Sequence, residues 1–521
     1  MARTFLPRSD FIRAIHRLSG CCLVLVGIAW QVPAALAQVD PPASNGSSSK
    51  QEFEESWQVV YIGESRVGHG RSTVEHKLRD GREIVVTDTE MSLAFTRFKQ
   101  ELNVKTLTQT EETLEGDLIQ FRFESLSPPA APTRKSGRVV DGKLLLESEV
   151  GGKVAKSEIE WDNSIKAPGY QDRLLRLSPL KRGEKRTLKS FDPQFGKVNV
   201  IELQAAGEEE VKLLDGEKKR LLKVSLVASV APTIVVNEYL DSAGEALVTR
   251  MSLMNMATYK VSREEALKEW SGEETDLAVS TLVKTNKLER PQQTLRVTYR
   301  ISTPGENPAK IVSAGPTQKL EPVSPDVVDV TVRSITPPAK APAGADSPGE
   351  EFLAPNLLIQ SDDERVQKLA KEAVGSVTDP WTAARMMERW VYQSLSKKNF
   401  STLLASAAEV AKDLTGDCTE HAVLLAGMAR ARKIPARVAI GLVYVQGKSS
   451  FGGHMWTEVF INGTWIPLDA TLGQGGIGAD HIKFADSSFS EEGAESPFTT
   501  FLPLVSVLGK MRIEIRDVHH K

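Results

Sequence analysis

The dipeptide Asn462-Gly463 constrains this chain more than any other feature, because it stands between two strand-like runs. His454-Met455-Trp456-Thr457-Glu458-Val459-Phe460-Ile461 precedes it, and Thr464-Trp465-Ile466-Pro467-Leu468-Asp469-Ala470-Thr471 follows. Asn-Gly readily takes the positive φ angles of a two-residue turn and is the strongest short hairpin signal. Such a turn pairs Ile461 with Thr464 and carries the ladder on to Trp456 opposite Asp469 and His454 opposite Thr471. His454 and Asp469 are then diagonal neighbours on one face, about 7–8 Å apart at Cα, within reach of a carboxylate–imidazole hydrogen bond. Val459, Ile461, Ile466 and Leu468 share the opposite face and are predicted to be buried. A bulge would shift this register by one residue.

Upstream lies Thr415-Gly416-Asp417-Cys418-Thr419-Glu420-His421-Ala422. Asp417 is a fitting N-cap and Glu420 follows at capping-box spacing, so Cys418 is placed in the first turn of a helix. There the helix dipole favours a thiolate, and backbone N–H groups can receive developing negative charge. The adjacent Asp417 opposes this, so a base or imidazolium partner is still needed. Ala422, Leu425 and Ala429 recur at helical spacing and would anchor the helix. On these residues alone Cys418 reads equally well as a small buried hydrophobe. With His454 as base and Asp469 as orienting group it completes a nucleophilic triad. His421, three residues after Cys418, is the rival base.

Three blocks now stand in order: Gly416-Asp417-Cys418-Thr419-Glu420-His421, Gly453-His454-Met455-Trp456-Thr457-Glu458-Val459 and Trp465-Ile466-Pro467-Leu468-Asp469-Ala470. They resemble the signature blocks of the transglutaminase-like superfamily in its bacterial branch. Ile434-Pro435-Ala436-Arg437-Val438 is similar to the segment that joins the nucleophile helix to the sheet. The match runs from about Asp362 to Ser488, roughly a quarter of the chain. The resemblance implies a papain-like α+β core, with Cys418 as nucleophile, His454 as base and Asp469 as orienter. One departure stands out. Animal transglutaminases bind the oxyanion with an upstream tryptophan, and none lies just before Cys418; Trp390 is the nearest and reads as a core residue of its own helix. Only the Cys418 backbone N–H is then assignable as oxyanion donor. The family's calcium sites have no visible counterpart, so neither a metal nor another cofactor is expected.

The chain has 521 residues, 40% hydrophobic and 26% charged, enough to bury sizeable cores in several domains. A formal net charge of -3 argues against a nucleic-acid binder. Residues 1–37 read as an export signal: Arg3, Arg8, Arg13 and Arg17, then an apolar run from Cys21 to Trp30, then Ala35-Leu36-Ala37 as a cleavage site. Its removal takes away Cys21 and Cys22 and leaves Cys418 as the sole thiol. No transmembrane segment is expected in the mature chain, which is assigned to the periplasm or the exterior. Residues 38–54 read as a flexible leader and 55–335 as a β-rich antiparallel region of one or two subdomains. A short helix is expected at Ser262–Trp270, the Pro-rich stretch 336–351 as a linker, and 352–521 as the catalytic α+β domain.

Weaker signals have ordinary readings. His69 and His76 lack a third ligand type, and His519-His520 read as a solvated tail. Gly473-Gln474-Gly475-Gly476-Ile477-Gly478 fits the dinucleotide fingerprint in letters, but no βαβ unit follows, so it reads as a flexible loop beside the site. Trp456 either shapes a cleft or covers the hairpin. The first functional expectation is an exported thiol enzyme acting on protein or peptide amides of the cell envelope through an acyl-enzyme, with hydrolysis ranked ahead of protein cross-linking. The second is a non-catalytic envelope binding module.

Overall fold

Short alternating runs broken by Gly and Asp build the first half of the molecule into one antiparallel sheet. The structure, a computed structural model, describes residues 53–269, 276–344, 347–490 and 497–521. The export signal and nearly all of the leader lie outside the described residues. Fifteen strands form the sheet. From Phe53–Ile62 they step outward in chain order to Lys153–Glu160; on the other side Met256–Val261 pairs with Phe53–Ile62, and its predecessors step outward to Ile165–Lys166. The first and last strands therefore meet in the middle. The sheet curls until Lys166 bridges Asp117 on the opposite arm. The expected helix shrinks to Arg263–Ala266, with Ser262 Oγ accepting the Glu265 N–H as its cap; Trp270 lies outside the described residues.

The second half packs helices on a smaller sheet. Glu364–Val374 and Pro380–Ser394 start at the caps Asp363 and Asp379, and Pro380 opens its helix, where its missing N–H costs nothing. Ala407–Asp413 was not expected; a Ser406/Glu409 capping box starts it. Cys418–Ala431 is apolar around most of its circumference and is accordingly buried at thirteen of its fourteen residues. It lies on the strand Ser450–Ile461, where Thr457 Oγ1 donates to the Ala422 carbonyl at 2.9 Å. The sheet runs Val283–Lys284, Ser450–Ile461, Ala436–Val445, His481–Ser487, and Thr464–Leu468 pairs with Ser450–Ile461.

The expected catalytic boundary at residue 352 cuts through a sheet. Residues 334–344 and 347–349 hold neither helix nor strand, yet they do not separate independent bodies. Thr294–Ser302, upstream of them, lies between Val327–Arg333 and the C-terminal strand Arg512–His520. Val283 pairs with Phe451 on the strand that carries His454. Val297, Tyr299 and Ile301 are 0% exposed, and the Tyr299 hydroxyl donates to the Ala479 carbonyl at 2.7 Å. One apolar core runs unbroken from Val60 and Leu226 through Val297 and Val330 to Leu425 and Ile466. His519 and His520 belong to the last strand rather than to a tail: His519 meets Asp517 at 3.0 Å, and His520 donates to the Glu289 carbonyl at 2.7 Å.

A fragment beginning at residue 352 is therefore expected not to fold. It loses at least three fully buried side chains, each contributing about 1.5–3 kcal/mol. A fragment beginning near residue 277 keeps them and is expected to retain more ordered structure than the shorter one. Circular dichroism of both decides; a folded shorter fragment would restore the boundary at 352.

Candidate active site

Gly416, Asp417 and Glu420 shape the start of the helix that Cys418 opens. Asp417 Oδ1 accepts the Thr419 N–H at 2.9 Å, and the Asp417 N–H donates to Glu420 Oε2 at 2.9 Å, so the capping box expected from the sequence is formed in both directions. Gly416 has φ 149°, and a Cβ there would meet the Glu420 Cβ at 2.3 Å, so only glycine fits above the box. Cys418 opens the helix, reduced and 2% exposed.

The hairpin has the predicted register. Ile461 pairs with Thr464 and Thr457 with Leu468, and Asn462 and Gly463 take φ 48° and 78°. Val459, Ile461, Ile466 and Leu468 are buried. Pairing stops at Leu468, however. Asp469 instead starts a turn, its carbonyl accepting the Gly473 N–H at 2.7 Å. The expected contact still forms: His454 Nε2 and Asp469 Oδ2 lie 2.8 Å apart. Asp469 Oδ1 accepts the Thr471 N–H at 2.8 Å, which fixes the carboxylate.

A second histidine joins them. His481 Nε2 lies 3.2 Å from the same Asp469 oxygen, and its Nδ1 lies 2.9 Å from Asp480 Oδ1. Trp456, 2% exposed, packs against both imidazoles, with ring centroids 6.3 Å from His454 and 5.2 Å from His481. It covers the histidines and keeps water from the pair. Glu388, 0% exposed, projects from Pro380–Ser394 and accepts the Gly475 N–H at 3.0 Å. The glycine loop, expected to be flexible, is seated on that helix. At Gly473, φ 65°, a Cβ would meet the Tyr392 ring at 2.2 Å.

Burial makes each charge here depend on its neighbours. For His454 burial alone lowers proton affinity, but the Asp469 charge and hydrogen bond, helped by Cys418, hold its pKa up at about 10. For Asp469 burial raises the pKa, and the charges and hydrogen bonds of His454 and His481 outweigh it and hold the carboxyl well below the usual range. Burial also pulls His481 down, and Asp480 and Asp469 bring it above the ordinary imidazole value. Burial pushes Glu388 up to about 8, and the Asp469 charge adds to this against the N–H donors of the loop. The histidine beside Asp469 is therefore an imidazolium at neutral pH. Asp469 occupies Nε2, which leaves Nδ1 for the thiol.

His421 is engaged otherwise. Its Nδ1–H donates to the Asp417 carbonyl, and its Nε2 accepts from Lys398 Nζ at 3.0 Å. Burial, then the Lys398 cation, push its pKa down to about 3, so it stays neutral with both nitrogens committed. Glu458, within a signature block, pairs with Arg437 at 2.7 Å and Lys483 at 3.1 Å. One ligand atom each from His454, Asp469 and His481 lie within 4.8 Å of one another, a spacing that suits a metal ion, but the same atoms are joined by the hydrogen bonds above. A cavity of about 780 Å³ opens elsewhere, on the N-terminal sheet among Arg71, Glu90, Arg122 and Glu149. None of this constellation lines it.

His481 and Glu388 escaped the sequence reading, although each left a trace. Glu388 stands four residues after Ala384 among the apolar positions of its helix. Asp480-His481 opens a strand just beyond the glycine loop.

Residues 367–470 match the core of the transglutaminase-like superfamily. No curated protein matches the chain. Among solved structures, a protein named as a candidate cysteine protease of Cytophaga hutchinsonii is 18% identical, over 44% of this chain and 86% of its own, with TM-score 0.28. A β-barrel-like protein of a domain of unknown function from Brucella abortus is 13% identical, over 40% of this chain and 93% of its own, with TM-score 0.30. A candidate protease of Parabacteroides distasonis is 12% identical, over 65% and 64%, with TM-score 0.17. The chain thus carries a transglutaminase-like superfamily domain, joined to a β-rich N-terminal region.

The pair predicts a pH dependence of stability. His454 has a raised folded pKa, so its contribution is complete below the unfolded value near 6.5 and is lost as pH rises toward about 10. Asp469 has a depressed one, so its contribution is present above the unfolded value near 3.9 and is lost in strong acid. Asp469→Asn is expected to cost about 3 kcal/mol in urea unfolding between about pH 4 and 6.5, shrinking toward pH 10. An Asp469 lying at a solvated cleft edge would instead show a loss near 1 kcal/mol or less at every pH.

Proposed function

We propose that this chain is an exported cysteine hydrolase that cleaves protein or peptide amide bonds of the cell envelope through an acyl-enzyme. The observation that carries the reading is the 2.8 Å contact between His454 and Asp469 on the strand beside the helix that Cys418 opens. The transglutaminase-like match over the same residues supports it. The export signal read in residues 1–37 supports action in the periplasm or outside the cell.

The chemistry follows from the charges. His454, held as imidazolium by Asp469, favours the thiolate of Cys418. The thiolate attacks the amide carbonyl carbon, and the oxyanion meets the Cys418 backbone N–H at the helix N-terminus. The C–N bond breaks as the His454 proton passes to the leaving amine, giving a thioester. Water then attacks the thioester with His454 taking its proton, and the C–S bond breaks to restore the thiolate. Asp469 holds Nε2 throughout, so Nδ1 works toward the thiol. The nucleophile and its base are at most 2% exposed, so a substrate reaches them only when covering residues shift.

Two measurements on the mature protein test this. Iodoacetamide is expected to modify Cys418 with a pH midpoint below the ~8.5 of free cysteine, and His454→Ala is expected to raise it. The midpoint is informative where the absolute rate also reflects access to a buried thiol. Cell-envelope peptides incubated in heavy-oxygen water are expected to gain label at newly formed carboxylates, and not with Cys418→Ala. Incorporation of an added amine in place of water would make the enzyme a cross-linking transglutaminase. A midpoint at or above that of free cysteine, with no product, would leave a binding module.

A further inference from the structure

Arg97 closes the strand Arg82–Arg97, 320 residues before the helix it touches. Its Nη2 donates to Asp417 Oδ2 at 2.7 Å, with side chains 2% and 1% exposed, and its Nη1 donates to the Thr402 carbonyl at 3.2 Å. The hairpin tip is held in place by neighbouring contacts. The Phe98 ring lies 4.7 Å from that of Phe400, and Gln100 Oε1 accepts the Phe400 N–H at 2.9 Å. Phe98 and Lys99 both take left-handed φ, 47° and 64°, which residues with side chains keep only where surroundings impose it.

We propose that Arg97 is a positioning residue for the thiol chemistry: its guanidinium cancels the Asp417 charge beside Cys418, so the nucleophile helix is capped by a neutral ion pair. The inference rests on Cys418 being the nucleophile. A carboxylate next to a thiol opposes the thiolate, more so in a buried setting where water does not screen it. Asp417 Oδ1 also accepts the Thr419 N–H and hydroxyl, which are neutral donors. Burial and the Asp417 charge push the Glu420 pKa well up, and His421 is neutral. Glu388, on the neighbouring helix, is largely protonated at neutral pH. Across the sheet, Asp469 is engaged with His454 and His481, and Lys398 with His421. A cation for Asp417 comes instead from the N-terminal sheet, which is thereby part of the catalytic unit.

The test is the pH profile of Cys418 alkylation in the full mature chain, with thermal melts alongside. Arg97→Met is expected to raise the midpoint by about one unit, slowing alkylation about tenfold at neutral pH. Asp417→Asn still caps the helix but removes the opposing charge, so its midpoint is expected to fall. The double variant is expected near wild type. Opposite shifts support the proposal; shifts of one sign, or folded single variants with unmoved midpoints, overturn it. If Arg97→Met does not fold, Asp417→Asn against the double variant decides, equal midpoints overturning the proposal. A wild-type midpoint at or above the ~8.5 of free cysteine defeats the proposed function instead, whatever the variants do.

Discussion

A carboxylate with no access to water must find its counter-charge in the protein, and Asp469 finds two. His454 and His481 both reach its Oδ2, while the Thr471 N–H holds the other oxygen. In a buried setting this arrangement settles the protonation of everything around it. His454 keeps its proton, Glu388 is discouraged from losing one, and the Cys418 thiol faces an imidazolium. Trp456 keeps the arrangement dry, and dryness is what gives the charges their strength.

The same logic ties the two halves of the chain together. Capping the Cys418 helix with Asp417 satisfies backbone donors but buries a second negative charge beside the thiol. Burial and the Asp417 charge raise the Glu420 pKa in the box, and Arg97 arrives from the opposite half of the molecule. The strands between Val283 and Arg333 do for packing what Arg97 does for charge, since they share one sheet with Arg512–His520 and one core with the C-terminal helices. The N-terminal sheet thus places an arginine at 2% exposure against the N-cap of the Cys418 helix.

The parts legible in the sequence were those decided over a few residues. Asn462-Gly463 sets the turn and therefore the register, Asp417 and Glu420 set the helix start, and alternation marks the strands from Trp57 onward. The His454–Asp469 contact was legible because one hairpin motif places both residues, and the Asp417/Glu420 capping box puts Cys418 at the start of its helix. Arg97 left no such trace, because an arginine ending an exposed-looking strand has no local signature of burial. The boundary at residue 352 misled for a related reason: a Pro-rich stretch shows that the chain lacks regular structure there, and says nothing about which strands pair across it. Asp469, expected to continue the ladder opposite Trp456, leaves it instead, because pairing stops at Leu468 and Asp469 starts a turn.

The Asp469 charge and hydrogen bond outweigh the burial of His454 and hold it as a cation. Nitrogen NMR of histidine-labelled protein reads this directly, since the two ring nitrogens of an imidazolium both carry protons and a neutral ring carries one. His454 is expected to remain doubly protonated at about pH 8, well above the ~6.5 of an ordinary histidine, and to lose its proton only toward about pH 10. A His454 that titrates near the ordinary value in the folded protein would contradict it.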